Sequence, residues 1–306
     1  MKIYSDITRT VGHTPLVKLN KIPPKGETIW AKLESFNPCS SIKDRLGIAM
    51  IEAAEQAGEI GPHSTLLEAT SGNTGIGLAF ACAAKGYHLT IVMPEDMSEE
   101  RKQLLKALGA TLVLTPKEEG IPGAIRHAEE LARKDTNYCL TRQFENPANP
   151  TIHEKTTAKE IWEDTDGTVE VVIAGVGTGG TLTGVARFLK KQRPDILIVA
   201  VEPATSAVLS GYPRGSHKIQ GIGAGFIPSV CDMGLIDRII PVKDGDAASM
   251  TRRLAREEGI FAGISSGATL FAALILLREA GLSGKKTIVI LPDGGDRYLS
   301  TGIFQQ

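Results

Sequence analysis

Lys43 stands where a helix should begin. The run Asn37-Pro38-Cys39-Ser40-Ser41-Ile42-Lys43-Asp44-Arg45 sets two serines just ahead of an apolar-periodic stretch, IKDRLGIAMIEAAEQAGE. Serine is a favoured helix N-cap, so the spacing predicts a helix start capped by serine. A lysine in the first turn meets the positive end of the helix dipole, at a cost of a few tenths to about 1 kcal/mol. The same field disfavours the ammonium form and leaves more free amine, the form that attacks an aldehyde. By itself Lys43 reads as a solvated helix lysine. Three other segments change that reading.

Each of the three follows a strand-like or loop run and opens a helix. Glu68-Ala69-Thr70-Ser71-Gly72-Asn73-Thr74-Gly75 offers hydroxyls, an amide and the free N–H groups of a helix start. It carries no cation, which suits a carboxylate held by backbone and hydroxyl donors. Gly175-Val176-Gly177-Thr178-Gly179-Gly180-Thr181 has four glycines in six residues, and these let the backbone approach a phosphate closely. Gly263-Ile264-Ser265-Ser266-Gly267 opens a late helix. Taken singly, the first and third are ordinary capped helix starts. The second admits a nicotinamide dinucleotide, because Gly175, Gly177 and Gly180 fit G-x-G-x-x-G and Glu202 follows the next strand as a ribose ligand would. A dinucleotide, however, has no use for Lys43 or for a second anion site. A pyridoxal phosphate enzyme acting on an amino acid uses all three: an amine for the aldehyde, a phosphate cradle and a carboxylate loop.

The elements that must position these groups alternate along the chain. Strands are expected over 28–34, 64–70, 88–94, 110–116, 169–175, 196–203, 238–242 and 287–293. Helices are expected from residue 42 and over 73–86, 98–109, 121–134, 151–164, 178–192, 245–258 and 267–281. Apolar strands alternating with helices imply parallel sheets covered on both faces, and ligands in such sheets bind beyond the carboxyl ends of strands. The Pro/Asn-rich ENPANP is the natural seam between two halves.

Bulk properties exclude several classes. The 306 residues carry a net charge of -1, with 42% hydrophobic and 23% charged residues. Nothing points to nucleic acid or to an anionic membrane. No apolar run reaches the roughly 18 residues of a membrane span, and the N-terminal stretch lacks a signal-type apolar core. Four scattered cysteines form no CxxC pair and six histidines show no ligand spacing, so no metal is expected and the cysteines read as reduced thiols of a cytoplasmic protein.

The motifs VGHTPLVKL, SSIKDR, EATSGNTGIGLA, RQFENPANP, HEKTT, AGVGTGGTLTG, KIQGIGAGFIP, GISSGA and DRYLSTGIF closely resemble those of the cysteine synthase (O-acetylserine sulfhydrylase) family of fold-type II pyridoxal phosphate enzymes, over essentially the whole chain. The resemblance implies two doubly wound α/β domains with the cofactor in the cleft between them. One domain would span 35–147, with a movable part at roughly 88–132; the other would combine 13–34 with 148–306. Lys43 would hold pyridoxal 5'-phosphate and take the substrate α-proton. Asn73 would bond the cofactor's 3-oxygen, Gly177, Thr178, Gly179, Gly180 and Thr181 its phosphate, and Ser265 (or its neighbour Ser266) would face the pyridine nitrogen. Thr70, Ser71, Gly72, Asn73 and Thr74, with Gln143, would hold the substrate carboxylate. Gly221, Ile222 and Gly223 would line the far wall. The implied reaction is a ping-pong β-replacement through α-aminoacrylate, converting O-acetyl-L-serine and sulfide to L-cysteine and acetate. A serine at the pyridine nitrogen makes a weaker electron sink than a carboxylate partner would, which suits elimination of a good leaving group.

Family members form homodimers, and some dock the C-terminal tail of serine acetyltransferase. Sister activities use O-phosphoserine or thiosulfate, or make cystathionine. The chain departs from the family pattern at Cys39, where a small residue is usual and a buried inert thiol is expected. It also departs at Asp293 and Gly294, where a serine-containing version is more usual and Asp293 would reach the pyridine side.

Overall fold

The computed structural model describes residues 3–279 and 281–305, so the first two positions of the N-terminal stretch, position 280 of the expected helix 267–281, and position 306 lie outside it. The chain opens with strands β1 (Leu16–Lys18) and β2 (Ile29–Leu33), then helix α1 (Lys43–Ala57). Next come β3 (Thr65–Ala69), α2 (Asn73–Lys85), β4 (His88–Pro94), α3 (Glu99–Ala107), β5 (Thr111–Thr115), α4 (Gly120–Lys134) and β6 (Tyr138–Leu140). Helices α5 (Ala148–Lys155) and α6 (Thr157–Asp164) lead to β7 (Val171–Gly175), α7 (Gly180–Gln192), β8 (Leu197–Pro203) and β9 (Arg238–Val242). The chain closes with α8 (Asp244–Arg253), α9 (Ile264–Leu276) and β10 (Thr287–Leu291).

Two compact units result. The first comprises Met1–Val11 and Asn37–Asn149, the second Gly12–Phe36 and Pro150–Gln306. In the first, a parallel sheet runs β5-β4-β3-β6. Its central strand β3 is buried on both faces, as expected of a covered parallel strand. Leu66 joins the core built from α1 and α2, while Leu67 and Ala69 join the one built on Ala124 and Ala128 of α4. Glu68, on the same face as Leu66, is the one acid in that strand and is 3% exposed.

In the second unit the sheet runs β1-β2-β10-β7-β8-β9. Val171, Ile173, Val199 and Val201 share a core with α8 and α9. All its pairings are parallel except β1 with β2. That exception departs from the all-parallel expectation for a simple reason: no crossover helix separates β1 from β2, and a short connection can only return the chain antiparallel. The short strand β6 carries no apolar alternation and was not expected. The helix expected over 151–164 is two, parted at Thr156, whose φ of -124° and ψ of -76° are not helical. The one expected over 245–258 finishes as a π-turn at Leu254–Glu258, ended by Gly259 in the left-handed region. Among the described residues no helix is long and apolar enough to cross a membrane, and no cluster of side chains could hold a metal ion.

Candidate active site

Helix α1 opens on Lys43 just after the serines its sequence predicts as caps. Ile42 ahead of it is already in helical conformation, and its own side chain makes no cap bond. Ser40 is spent on the turn, at a φ of 53°. Ser41 Oγ accepts the Lys43 amide at 3.2 Å, and Asp44 reaches back to accept the Cys39 amide at 2.6 Å. An acid in the first turn also favours the positive helix end that the lysine opposes. Cys39 is half-buried rather than buried.

A pair of glycines brings Lys43 to the first junction. A Cβ on Gly77 of α2 would lie 2.3 Å from the Lys43 carbonyl oxygen, and one on Gly47 of α1 would lie 2.3 Å from the Gly77 oxygen. The two helices therefore touch backbone to backbone. Lys43 packs about one turn, roughly 5.4 Å, along α2 from Asn73.

At that junction α2 starts after Gly72 with no side-chain cap bond, which sets aside the ordinary capped turn. Thr70 Oγ1 instead accepts the Gly72 amide at 3.1 Å. Thr70, Thr74 and Gln143 are buried, and Ser71, Gly72 and Asn73 half-buried. Thr74 Oγ1 donates to Gln143 Oε1 at 2.6 Å, so two of the expected carboxylate-binding residues meet directly. Behind them lies a residue whose role sequence reasoning missed. Glu68 accepts from the Thr141 hydroxyl, from the Gln143 amide at 3.3 Å and from Gln143 Nε2 at 3.2 Å. Burial pushes its carboxyl up to about 7, against the lowering effect of those bonds. Arg101 of α3, also missed, donates to the Ser71 carbonyl at 2.7 Å and ties that helix to the loop.

In the second unit the glycine loop is built by close approach. A Cβ on Gly177 would stand 2.4 Å from the Gly221 oxygen, and one on Gly175 2.6 Å from Ile222 Cγ2. Gly179 has a φ of 80°, and a Cβ there would meet Cys231 at 2.4 Å. Helix α7 follows with no side-chain cap. Thr178 Oγ1 accepts the Gly180 amide at 3.3 Å. Thr181 Oγ1 lies 3.3 Å from Nε2 of the fully buried His153, whose Nδ1 lies 2.9 Å from Thr157 Oγ1. HEKTT thus stands directly behind the loop, a role no spacing rule would reveal.

The Gly221–Gly223 wall joins this loop to Ser265. Gly223 N donates to the Val176 carbonyl at 2.9 Å, and a Cβ on Gly221 would lie 3.9 Å from Ser265 Oγ. Helix α9, which carries Ser265, is also uncapped by a side chain. Ser266 Oγ is buried with no hydrogen-bond partner. Asp293 braces this start: its carboxylate accepts from Tyr298 Oη at 2.7 Å, and a Cβ on Gly263 would sit 2.1 Å from Asp293 Oδ1. Glu202, the acid a dinucleotide would need, accepts instead from the Leu209 and Ser210 amides at 2.8 and 3.1 Å and from the Ser210 hydroxyl. Its oxygens hold the following loop.

A family model described as pyridoxal-phosphate dependent enzyme matches residues 7–293. The chain belongs to that family. It is 55% identical over 312 residues to cysteine synthase A of Salmonella typhi, covering 99% of this chain and 96% of that protein. It is 52% identical to the cysteine synthase of Staphylococcus aureus (strain Mu50), covering 99% and 98%. Among solved structures, O-acetyl serine sulfhydrylase isoform 3 of Entamoeba histolytica superposes with a TM-score of 0.96 at 47% identity, covering 100% of this chain and 92% of that one.

The family's cofactor is pyridoxal 5'-phosphate, and the residues present fit it. Gly177 and Gly179 pack against the Gly221 carbonyl and Cys231 with no room for a Cβ, so the loop presents bare backbone to a phosphate. It leads into the uncapped N–H groups of α7, the donor set a phosphate takes.

Proposed function

We propose that this chain is a cysteine-forming β-replacement enzyme, joining sulfide to the side-chain carbon of O-acetyl-L-serine with release of acetate. The observation that carries the reading is 55% identity to a cysteine synthase A across 99% of the chain, supported by the packing of the lysine helix α1 on α2, the helix that follows residues 70–72, through Gly47 and Gly77. Pyridoxal phosphate, when bound, supplies the electron sink that lets acetate leave.

The chain's own residues do the rest. Lys43 Nζ would hold the cofactor's aldehyde end and move the proton at the substrate α-carbon. Asn73 would help hold the cofactor beside it. Thr70, Ser71, Gly72, Asn73 and Thr74, with Gln143, hold the substrate carboxylate by neutral donors. Gly177 to Thr181 would hold the cofactor's phosphate. Ser265 would be a neutral partner for its ring, and Gly221 to Gly223 line the wall. The segment 88–132, which includes α3 and its Arg101–Ser71 bond, moves with the carboxylate loop and keeps water from the reacting atoms. The enzyme works as a cytoplasmic homodimer, and the carboxylate loop also accepts the C-terminal carboxylate of a serine acetyltransferase tail.

The test is cysteine formation from O-acetyl-L-serine and sulfide by the cofactor-loaded protein. Lys43→Ala should reduce turnover by more than about a thousandfold while the fold persists. Turnover within tenfold of the parent would sink the assignment of Lys43.

A further inference from the structure

Gln143 carries an amide that fits its surroundings either way round, and the neighbours decide which way it points. At one end Thr74 Oγ1 donates to Oε1 at 2.6 Å. At the other Nε2 faces Glu68 Oε1 at 3.2 Å, while Glu68 Oε2 accepts from the Thr141 hydroxyl and from the Gln143 backbone amide at 3.3 Å. An ionised carboxylate has no proton to give, so only the NH2 end of the amide can face it. One N–H of that NH2 is spent on Glu68. The second remains, in a group tied down by its own backbone and by Thr74.

We propose that Glu68 is a positioning residue for carboxylate recognition: ionised, it fixes the Gln143 amide with its NH2 end inward and so presents the second N–H to the substrate carboxylate. This rests on the reading that Gln143 and the loop 70–74 hold that carboxylate. Among the charged groups on the flanking segments are Lys43, Asp44 and Arg45 at the start of α1, Arg101 of α3, and Arg142 and Glu145 after β6. Arg101 is turned to the Ser71 carbonyl, and Arg142 gives Glu68 its backbone N–H while its guanidinium lies 3.4 Å from Glu145. The bonds to Glu68 thus come from neutral donors, and Gln143 supplies two of them. Burial places the Glu68 titration at about 7, so both of its forms are reached at ordinary pH.

The proposal makes a prediction opposite in sign to simple electrostatics. A buried negative charge near an anion site opposes the anion, so removing it should tighten binding. If Glu68 acts by orienting the amide, removing the charge should weaken binding. Glu68→Gln can keep its oxygen toward Thr141 and the Gln143 backbone only by turning its own NH2 toward Gln143 Nε2, which reverses the Gln143 amide.

The experiment compares the holoenzyme with its Glu68→Gln, Gln143→Ala and double variants, with O-acetyl-L-serine as the varied substrate. Glu68→Gln should raise KM about tenfold at pH 8 with kcat within about twofold, and the double variant should be no worse than Gln143→Ala alone. The ratio of variant to parent KM should shrink toward one at pH 6, where Glu68 of the parent is itself protonated; titration of the substrate amine cancels in that ratio. A lowered KM, or effects that multiply in the double variant, would overturn the proposal. A Gln143→Ala protein with unchanged KM would instead overturn the carboxylate reading beneath it. Should Glu68→Gln not fold, Glu68→Asp keeps the charge but withdraws it by one methylene, and must raise KM in the same direction.

Discussion

Two helix starts, those of α2 and α7, lack a side-chain cap and are the anion sites proposed above, yet they are built in opposite ways. The α7 start is rigid by exclusion. Gly177 and Gly179 leave no room for a side chain, and the backbone of Gly221 and the side chain of Cys231 close the space behind them. The α2 start is built from side chains that bond one another: Thr70 to the Gly72 amide, Thr74 to Gln143, and Gln143 to the buried Glu68. A cofactor phosphate stays through every turnover, so a cradle of fixed backbone suits it. A substrate carboxylate must come and go, and a network of exchangeable hydrogen bonds can release it. The difference lies in how each site is supported, since both draw on the same kinds of donor, backbone N–H and hydroxyl groups.

The largest expected effect comes from breaking the rigid start. Gly179→Val adds a side chain where φ is 80° and the Cys231 carbons already occupy the Cβ position. Affinity of the apoprotein for pyridoxal phosphate should fall by more than about a hundredfold, read from the absorbance change on reconstitution. Near-normal loading would mean that the loop is adaptable after all.

The flexible start carries a stability cost that the rigid one lacks. Burial raises the Glu68 carboxyl to about 7 from its ordinary value of 4.5. The folded state therefore holds this proton more tightly than the unfolded chain does, and stability falls as pH rises between 4.5 and 7. The loss amounts to about 3 kcal/mol. In Glu68→Gln that loss should vanish, so the variant gains stability relative to the parent between pH 5 and pH 8 in urea unfolding. A constant difference across that range would show that Glu68 does not titrate in the fold. Greater stability joined to weaker substrate binding is the pattern of a residue kept for function.

The smallest effect sharpens the comparison from the α7 side. His153 lies between the hydroxyls of Thr157 and Thr181. If Thr157 donates to Nδ1, then Nε2–H donates to Thr181, whose own proton is left for the phosphate. Thr157→Val removes the first donor and should weaken pyridoxal phosphate binding about fivefold, with nitrogen NMR of His153 showing loss of the Nε2–H tautomer. An unchanged tautomer would make Thr157 a packing residue only.

Much of the candidate site's local structure was legible in the sequence. Lys43 at a helix start, the hydroxyl-rich run after β3 and the glycine run after β7 are local patterns, because strand, turn and helix signals are encoded over a few neighbouring residues. The same locality leaves the choice between neighbours open. Ser40 and Ser41 both have the composition of a cap; Ser41 acts as one on the Lys43 amide, while Ser40 is drawn into a left-handed turn and Asp44 reaches back to Cys39.

What the sequence determined by itself was the chemistry available: an amine, two helix starts suited to anions, and the alternation of strand and helix that puts loops at strand ends. What only tertiary structure decided was which groups meet and in what state. Gly47 and Gly77 are unremarkable in a helical run until the two backbones touch. Glu68 is one acid among many until packing removes it from water and gives it Gln143. His153 shows its place only when the chain from α5 to α7 closes on Thr181. Burial and contact between distant segments are properties of the folded chain, and they set both the orientation of the donors and the protonation of the acid behind them.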